Sequence, residues 1–73
     1  MKIKFTRHAK RQMKWRKIAE EEVKEAINNP DKLENTIRDR RNAFKNIKDR
    51  LLKITYKHRD DEITVITAIA KGE

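Results

Sequence analysis

The 73-residue chain contains no cysteine and no serine, a single glycine (Gly72) and a single proline (Pro30). Without cysteine it can form neither a disulfide nor a thiolate zinc site. The absence of serine excludes a Ser-His-Asp nucleophilic triad. One glycine is too few for a glycine-rich loop that cradles phosphates. These absences exclude several common kinds of catalytic and cofactor site.

Long apolar runs are also missing from the sequence, whereas a transmembrane helix needs about 20 apolar residues. The first ten residues, MKIKFTRHAK, include no hydrophobic segment of the kind found in secretory signal peptides. We therefore expect a cytoplasmic protein that forms one domain over residues 1–73. A chain of this length buries only about 60% of the surface that it exposes when unfolded, so its core must be small.

Charged residues are abundant, and positive and negative charges are distributed unevenly along the chain. Charged residues make up 44% of the sequence, a level typical of thermophile proteins, and the net charge is +8. The net charges of residues 1–18, 19–34, 35–59 and 60–73 are +8, −4, +7 and −3. Ordinary solvated surfaces mix their signs, so two basic blocks predict a face that gathers Lys and Arg. The usual partner of such a face is the phosphate backbone of a nucleic acid.

Periodic apolar residues predict folded structure over most of the chain, with fraying expected only at residues 71–73. The predicted elements are a strand over 2–6, a helix to about residue 17, a second helix over about 20–28, and strands over 33–38, 43–47, 51–57 and 63–70. Turns are predicted at 39–41, 48–49 and 59–61. The last strand is apolar or Thr throughout, which is typical of a central strand covered on both faces.

Local signals define the helix ends. Thr6 is a plausible N-cap for the first helix, whereas Ala19 occupies the N-cap of the second and cannot supply a side-chain oxygen. Ile18 and Val23 have the spacing of a hydrophobic staple, and Pro30 ends the second helix. The order β-α-α-β-β-β-β then predicts an α+β fold, with two helices packed on one face of a small, mostly antiparallel sheet.

The stretch from Phe5 to Met13, FTRHAKRQM, resembles the opening of a family of small domains of unknown function. The family pattern is Thr or Ser, any residue, His-Ala, two residues, Arg, then Met or Leu. Residues 18–23 and the Asn29-Pro30 pair are similar to the family's second helix and its end, and residues 52–56 and 63–67 resemble its last hairpin. The family is usually grouped with RelE-like and BrnT-like toxins, which are small ribonucleases. The resemblance therefore implies a RelE-like fold, an RNA substrate and an acidic antitoxin partner.

Metal-independent RNA cleavage needs a base for the 2′-hydroxyl, a cation for the phosphorane and an acid for the leaving oxygen. RelE-like toxins meet these needs mostly with Arg, Lys, Tyr and sometimes His or Glu. On that resemblance we predict catalytic roles for His8, Arg11, Arg50 and Tyr56, with His58 as a further candidate. No metal or cofactor is expected, because the two histidines are far apart in sequence and have no acidic neighbours at ligand spacing.

Each of these residues also has a structural interpretation. His8 could fix the first helix on the sheet through a backbone hydrogen bond, and Tyr56 and His58 could simply pack or lie on the surface. Arg11 could hold a phosphate or pair with an acid of the second helix, Glu22 or Glu25. Trp15, the sole tryptophan, could stack a base, enter the core or contact an antitoxin.

Arginine suits phosphate recognition because its planar fork donates two hydrogen bonds. The residues that we predict to contact nucleic acid are Arg7, Lys10, Lys14, Arg40, Arg41, Lys45 and Lys53. Three functions remain open: an RNA-binding domain that is also a metal-independent endoribonuclease, a non-catalytic nucleic-acid-binding module, and a protein-interaction module for an acidic antitoxin segment. In the first case the substrate could be free RNA or ribosome-associated mRNA.

Overall fold

The computed structural model of the protein describes residues 2–71. Its elements are β1 (Lys2–Phe5), α1 (Arg7–Arg16), α2 (Glu20–Asn28), β2 (Lys32–Asn35), β3 (Arg40–Ile47), β4 (Arg50–Arg59) and β5 (Glu62–Lys71). The sheet order is β1-β5-β4-β3-β2; β1 is parallel to β5, and the other pairs are antiparallel. Both helices pack on the same face, α1 against β5 and α2 against β3 and β4. The predicted α+β class and element order are thus confirmed.

The helix ends follow the local signals. The Thr6 hydroxyl accepts a hydrogen bond from the Ala9 N–H at 3.1 Å, which confirms the predicted N-cap of α1. At α2, Ala19 offers no side-chain cap, and the Glu22 carboxylate accepts the Ala19 N–H at 2.8 Å instead. Ile18 and Val23 are both buried, as a hydrophobic staple requires.

The core lies between the two helices and one face of the sheet. The largest fully buried side chains are Val23 of α2, Leu52 and Ile54 of β4, and Val65 of β5. Leu52 and Ile54 are two residues apart in an extended strand, so they point to the same side. This side of the sheet is therefore the one that the helices cover.

The region between residues 33 and 41 differs from the sequence prediction. β2 ends at Asn35 rather than at residue 38, and β3 already begins at Arg40, so the turn lies at residues 38–39, slightly earlier than the predicted 39–41. Arg38 adopts a positive φ of 63°, which interrupts the extended alternation. The Thr36 N–H and hydroxyl both donate to the Arg40 carbonyl at 3.0 Å and close the loop.

The prediction that the last strand is covered on both faces was also wrong. β5 lies inside the sheet between β1 and β4, but the helices cover only the face that carries Ile63, Val65 and Ala68. A register shift opposite Thr55 makes Ile66 the extra residue of a β-bulge. Lys71 is the last residue of β5; the predicted fraying otherwise concerns residues 72–73, which lie outside the described part of the chain.

Because glycine is scarce, other residue types adopt positive φ angles in the turns between strands. The predicted turn between β3 and β4 is formed by Lys48 and Asp49, whose φ angles are 51° and 65°. A two-residue hairpin loop with two positive φ angles matches the twist of its strands and normally favours Gly or Asn. Here Lys and Asp accept that conformation, and Asp60 does the same in the next hairpin with a φ of 55°.

Candidate nucleic-acid interface

The two faces of the sheet differ in chemistry because successive residues of a strand point to opposite sides. In β4, Leu52, Ile54 and Tyr56 face the helices, whereas Lys53 and Lys57 face away from them. We call the side without helices the open face. By register it comprises Lys2 and Lys4 of β1; Lys32 and Glu34 of β2; Arg40, Asn42, Phe44 and Asn46 of β3; Leu51, Lys53, Thr55, Lys57 and Arg59 of β4; and Glu62, Thr64, Thr67, Ile69 and Lys71 of β5.

The open face is strongly basic. It carries eight Lys or Arg and two Glu, a net charge of +6. Both acids are paired: Glu62 with Lys4 at 3.2 Å and Glu34 with Lys32 at 3.5 Å. Such exposed pairs contribute little to stability. The two acids offset only two of the eight positive charges on this face.

At one end of the open face, three lysines surround an aromatic ring. The ammonium groups of Lys32, Lys53 and Lys71 lie 5.8, 6.0 and 6.0 Å from the centroid of the Phe44 ring. Each lysine comes from a different strand, and these four residues are called the Phe44 cluster below. The distances are within the range of cation–π attraction.

The other end of the open face contains a depression of about 410 Å³. Its lining consists of Arg38, Asp39, Lys57, Arg59, Glu62 and Thr64. Between the depression and the Phe44 cluster, the Thr55 hydroxyl donates a 2.7 Å hydrogen bond to the Asn42 side-chain oxygen. This hydrogen bond links β3 and β4 in the middle of the face, between its two basic ends.

The residues predicted to contact nucleic acid fall on three different surfaces. Arg40 and Lys53 lie on the open face, while Arg41 and Lys45 point to the helix-covered side of β3. The other three, Arg7, Lys10 and Lys14, are exposed on the outer side of α1. Adjacent residues of a strand point to opposite faces, so Arg40 and Arg41 do not belong to one binding surface.

Lys45 forms an ion pair with Asp31. Its ammonium group lies 3.4 Å from the Asp31 carboxylate, which also accepts the Asn46 N–H at 2.9 Å. The pKa of Asp31 lies below its ordinary value, mainly because of the backbone hydrogen bond from Asn46 and further because of Lys45, against an opposing effect of desolvation. Lys45 thus belongs to a structural contact between β3 and the segment before β2.

The four residues predicted to be catalytic occupy separate environments. His8 and Arg11 are exposed on the outer side of α1, whereas Tyr56 is 3% exposed beneath the helices. Of the two acids predicted as alternative partners of Arg11, Glu22 pairs with Arg50 at 3.6 Å. The arrangement therefore does not gather His8, Arg11, Arg50 and Tyr56 around one reacting group.

Arg50 has structural contacts of its own. Its guanidinium donates to the Arg16 carbonyl at 2.7 Å and to the Lys17 carbonyl at 3.2 Å, in addition to the Glu22 pair. These carbonyls belong to the C-terminal end of α1, where backbone acceptors have no partner within the helix. Arg50 thereby ties the end of α1 to the start of β4.

Tyr56 belongs to a small groove on the helix-covered side. This groove has a volume of about 260 Å³, and its lining includes Arg41, Tyr56 and His58 together with the end of α2. Arg41 and Tyr56 are direct cross-strand neighbours, and His58 follows on the same side of β4. Three chemically capable side chains line this groove; His58 was predicted only as a further candidate, and the sequence did not indicate that it lies beside Arg41 and Tyr56.

Trp15 does not enter the core. It is 79% exposed, and the Arg16 guanidinium lies 5.6 Å from its ring centroid. Of the three alternatives for Trp15, entry into the core is therefore wrong, since the inner side of α1 is already filled by Ala9 and Met13.

The stretch that carries the family resemblance has a structural role. The Thr6 hydroxyl donates to the Ile66 carbonyl at 3.2 Å, and the Gln12 side-chain oxygen accepts the Ala68 N–H at 3.1 Å. Gln12 stands where the family pattern has Arg. These two side chains satisfy backbone groups around the β-bulge, while Ala9 is fully buried and lets α1 approach the sheet closely.

Sequence reasoning missed most of the open face, including Phe44, Lys32, Lys57 and Lys71. A signal for Phe44 was present: it alternates with Asn42 and Asn46, so a strand over these residues puts the ring on the polar side. The lysines carry no comparable signal, because only the strand order brings them together.

The fold and its surfaces define a small α+β domain with a mixed five-stranded sheet and one basic, uncovered face. The family described as a domain of unknown function (DUF4258) matches residues 5–70, and the chain belongs to this family. No curated protein and no solved structure matches the chain. The match confirms the resemblance to a small family of unknown function, whereas the grouping with RelE-like and BrnT-like toxins stays a prediction.

Two further findings concern residues 2–71. None of their helices has the length and apolar character needed to cross a membrane. Nor do these residues contain a group of three or more side chains that could hold a metal ion.

Proposed function

We propose that this protein binds RNA through the open face of its sheet. The observation that carries the proposal is the net charge of +6 on a surface that no helix covers. A basic face of this kind attracts the phosphate backbone, and binding releases the counterions of the nucleic acid. Affinity should consequently fall with rising salt, with a slope of about 0.7 for each phosphate neutralised on a single strand.

One cross-strand pair supports a functional origin of this charge. Arg40 and Lys57 are direct neighbours in β3 and β4, and both side chains are exposed on the open face. Like charges directly opposite each other disfavour the sheet. A phosphate bound between the two side chains would attract both of them. Anion binding would therefore explain why two cations lie opposite each other.

The test compares two double charge reversals of equal size. Arg40→Glu with Lys57→Glu changes the open face, and Lys10→Glu with Lys14→Glu changes the outer side of α1, where both lysines are exposed. Binding of a labelled single-stranded RNA is measured by fluorescence anisotropy at low salt. We expect the first variant to bind at least tenfold more weakly than the second. A larger loss in the α1 variant would overturn the proposal and make α1 the binding surface.

A second candidate function is metal-independent RNA cleavage, favoured by the groove that Arg41, Tyr56 and His58 line. These side chains supply a cation and two groups able to exchange protons, as the reaction requires. The activity would agree with the predicted grouping of the family with RelE-like and BrnT-like toxins. In a gel of labelled RNA incubated with chelator, His58→Ala should lose the cleaved product and His8→Ala should retain it. If the parent protein leaves the RNA uncut, cleavage is rejected and RNA binding is the only one of the two functions that remains.

An acidic antitoxin segment is the protein partner that the same surface would accept. Its carboxylates would complement the +6 face in place of phosphates. An acidic protein of this kind should compete with RNA, and the open-face reversal should abolish both interactions. If that variant still bound the acidic protein but not RNA, the two partners would bind to different surfaces.

A further inference from the structure

Phe44 lies on the side of the sheet away from the core. It stands between Asn42 and Asn46 on the open face and is half-buried there. The partly buried apolar side chains that pack against the core do not include it. A large aromatic ring on a polar, basic surface therefore needs an explanation other than core packing.

The lysines around the ring strengthen this point. Lys32, Lys53 and Lys71 bring three ammonium groups to about 6 Å from one ring centroid, and Glu34 is the acid paired with one of them. Attraction to the ring face offsets part of the mutual repulsion of the three cations. The cluster keeps a surplus of positive charge around a flat apolar surface, which is the combination that single-stranded nucleic acids require.

We propose that the Phe44 cluster binds single-stranded nucleic acid, with one unpaired base stacked on the Phe44 ring and the three lysines contacting the phosphates on either side. This inference rests on the proposed function, since it assumes that the open face binds nucleic acid. It adds that the strand must be single, because the faces of bases in a duplex are already stacked on each other. Every base has a π-face, so the recognition tolerates different sequences.

The rest of the open face continues the path of the strand. Lys53, Lys57 and Arg59 follow one another on the same side of β4. At about 3.3 Å per residue, the track from Lys53 to Arg59 is about 20 Å long. It leads from the Phe44 cluster to the basic depression at the other end. A few nucleotides beyond the stacked base can therefore contact this track through their phosphates.

The test measures the affinity of the full chain for a labelled 12-nucleotide oligouridine and for a 12-base-pair RNA duplex. Phe44→Leu keeps an apolar side chain and removes the ring. We expect it to weaken binding of the single strand between about fivefold and a hundredfold, as the loss of base–aromatic stacking implies. Binding of the duplex should change less than about twofold. The salt dependence should keep its slope, since no phosphate contact is removed.

The matched control is Trp15→Leu, which removes an exposed aromatic ring of α1, on the helix-covered side of the sheet. It should leave the affinity for oligouridine unchanged, and Phe44→Tyr should retain most of the affinity because a ring remains. An equal loss for single strand and duplex in Phe44→Leu, or a loss in Trp15→Leu alone, would overturn the inference.

A second readout reports the stacking directly and also checks that the variant folds. Phe44→Trp in a Trp15→Phe background has a single indole, whose fluorescence a stacked base quenches. Quenching by oligouridine and by oligothymidine is expected, because stacking does not involve the 2′-hydroxyl. Absence of quenching despite binding overturns the inference but leaves the proposed function intact. If the parent protein binds neither probe at low salt, the proposed function itself fails.

Discussion

The helix-covered face and the open face of the sheet are built from the same strands, yet they have opposite properties. In β4, Leu52 and Ile54 are fully buried under the helices, while Lys53 and Lys57 alternate with them on the other side. The covered face supplies most of the apolar core, and the open face supplies a net charge of +6. The comparison shows how alternation along each strand separates an apolar face that stabilises the fold from a basic face on the other side of the sheet.

Two adjacent leucines offer the sharpest test of this separation. Leu52 is fully buried on the covered face, and Leu51 is half-buried on the open face. We expect Leu52→Ala to lower the free energy of unfolding by about 2–5 kcal/mol, through lost burial and the cavity left behind. Leu51→Ala should cost about 1 kcal/mol or less. Urea unfolding followed by circular dichroism measures both, and equal losses would mean that the two faces do not differ in this way.

The two ends of β4 provide a second comparison. Arg50 begins the strand and holds the carbonyls at the end of α1, whereas Arg59 ends it on the open face. Arg50→Met should lower the free energy of unfolding by about 1–3 kcal/mol, because the partly buried Glu22 and the α1 carbonyls lose a charged partner. Arg59→Met should stay within about 0.5 kcal/mol. A stable Arg50→Met variant that cleaves no RNA while the parent does would instead favour the predicted catalytic role.

Local chemistry was readable in the sequence, because each signal depends on neighbours along the chain. The Thr6 cap, the Ile18–Val23 staple and the Lys48-Asp49 turn are all present as predicted. The loop around Arg38 was not predicted, because Arg38 has a positive φ and arginine is not a residue type that indicates such a backbone conformation. The parallel pairing of β1 with β5 was missed as well, because it joins the two ends of the chain and leaves no local signal in either strand.

The candidate site was much less predictable than the fold. The Phe44 cluster draws lysines from three strands, and their meeting depends on a strand order that sequence periodicity does not reveal. Arg50 was predicted to be catalytic, and its contacts with the end of α1 could not be predicted because they depend on tertiary packing. Basic composition therefore predicted that a basic surface exists, while alternation in each strand decides which residues belong to it.

The smallest expected effect concerns Asp31, whose pKa is lowered in the folded protein. Asp31 sits at the edge of the sheet and accepts hydrogen bonds from the Asn46 N–H and from Lys45. Its pKa in the folded protein lies below the ordinary value of 3.8. The stabilisation of the fold by the Asp31 charge is therefore complete above that ordinary value and disappears as the pH falls through the lower, folded pKa.

Thermal unfolding from about pH 7 to about pH 2 should show the parent more stable than Asp31→Asn near neutrality, with the difference in Tm vanishing in acid. Other carboxylates titrate in both proteins, so the difference isolates Asp31. A gap in Tm that stayed constant with pH would mean that the Asp31 charge does not stabilise the fold.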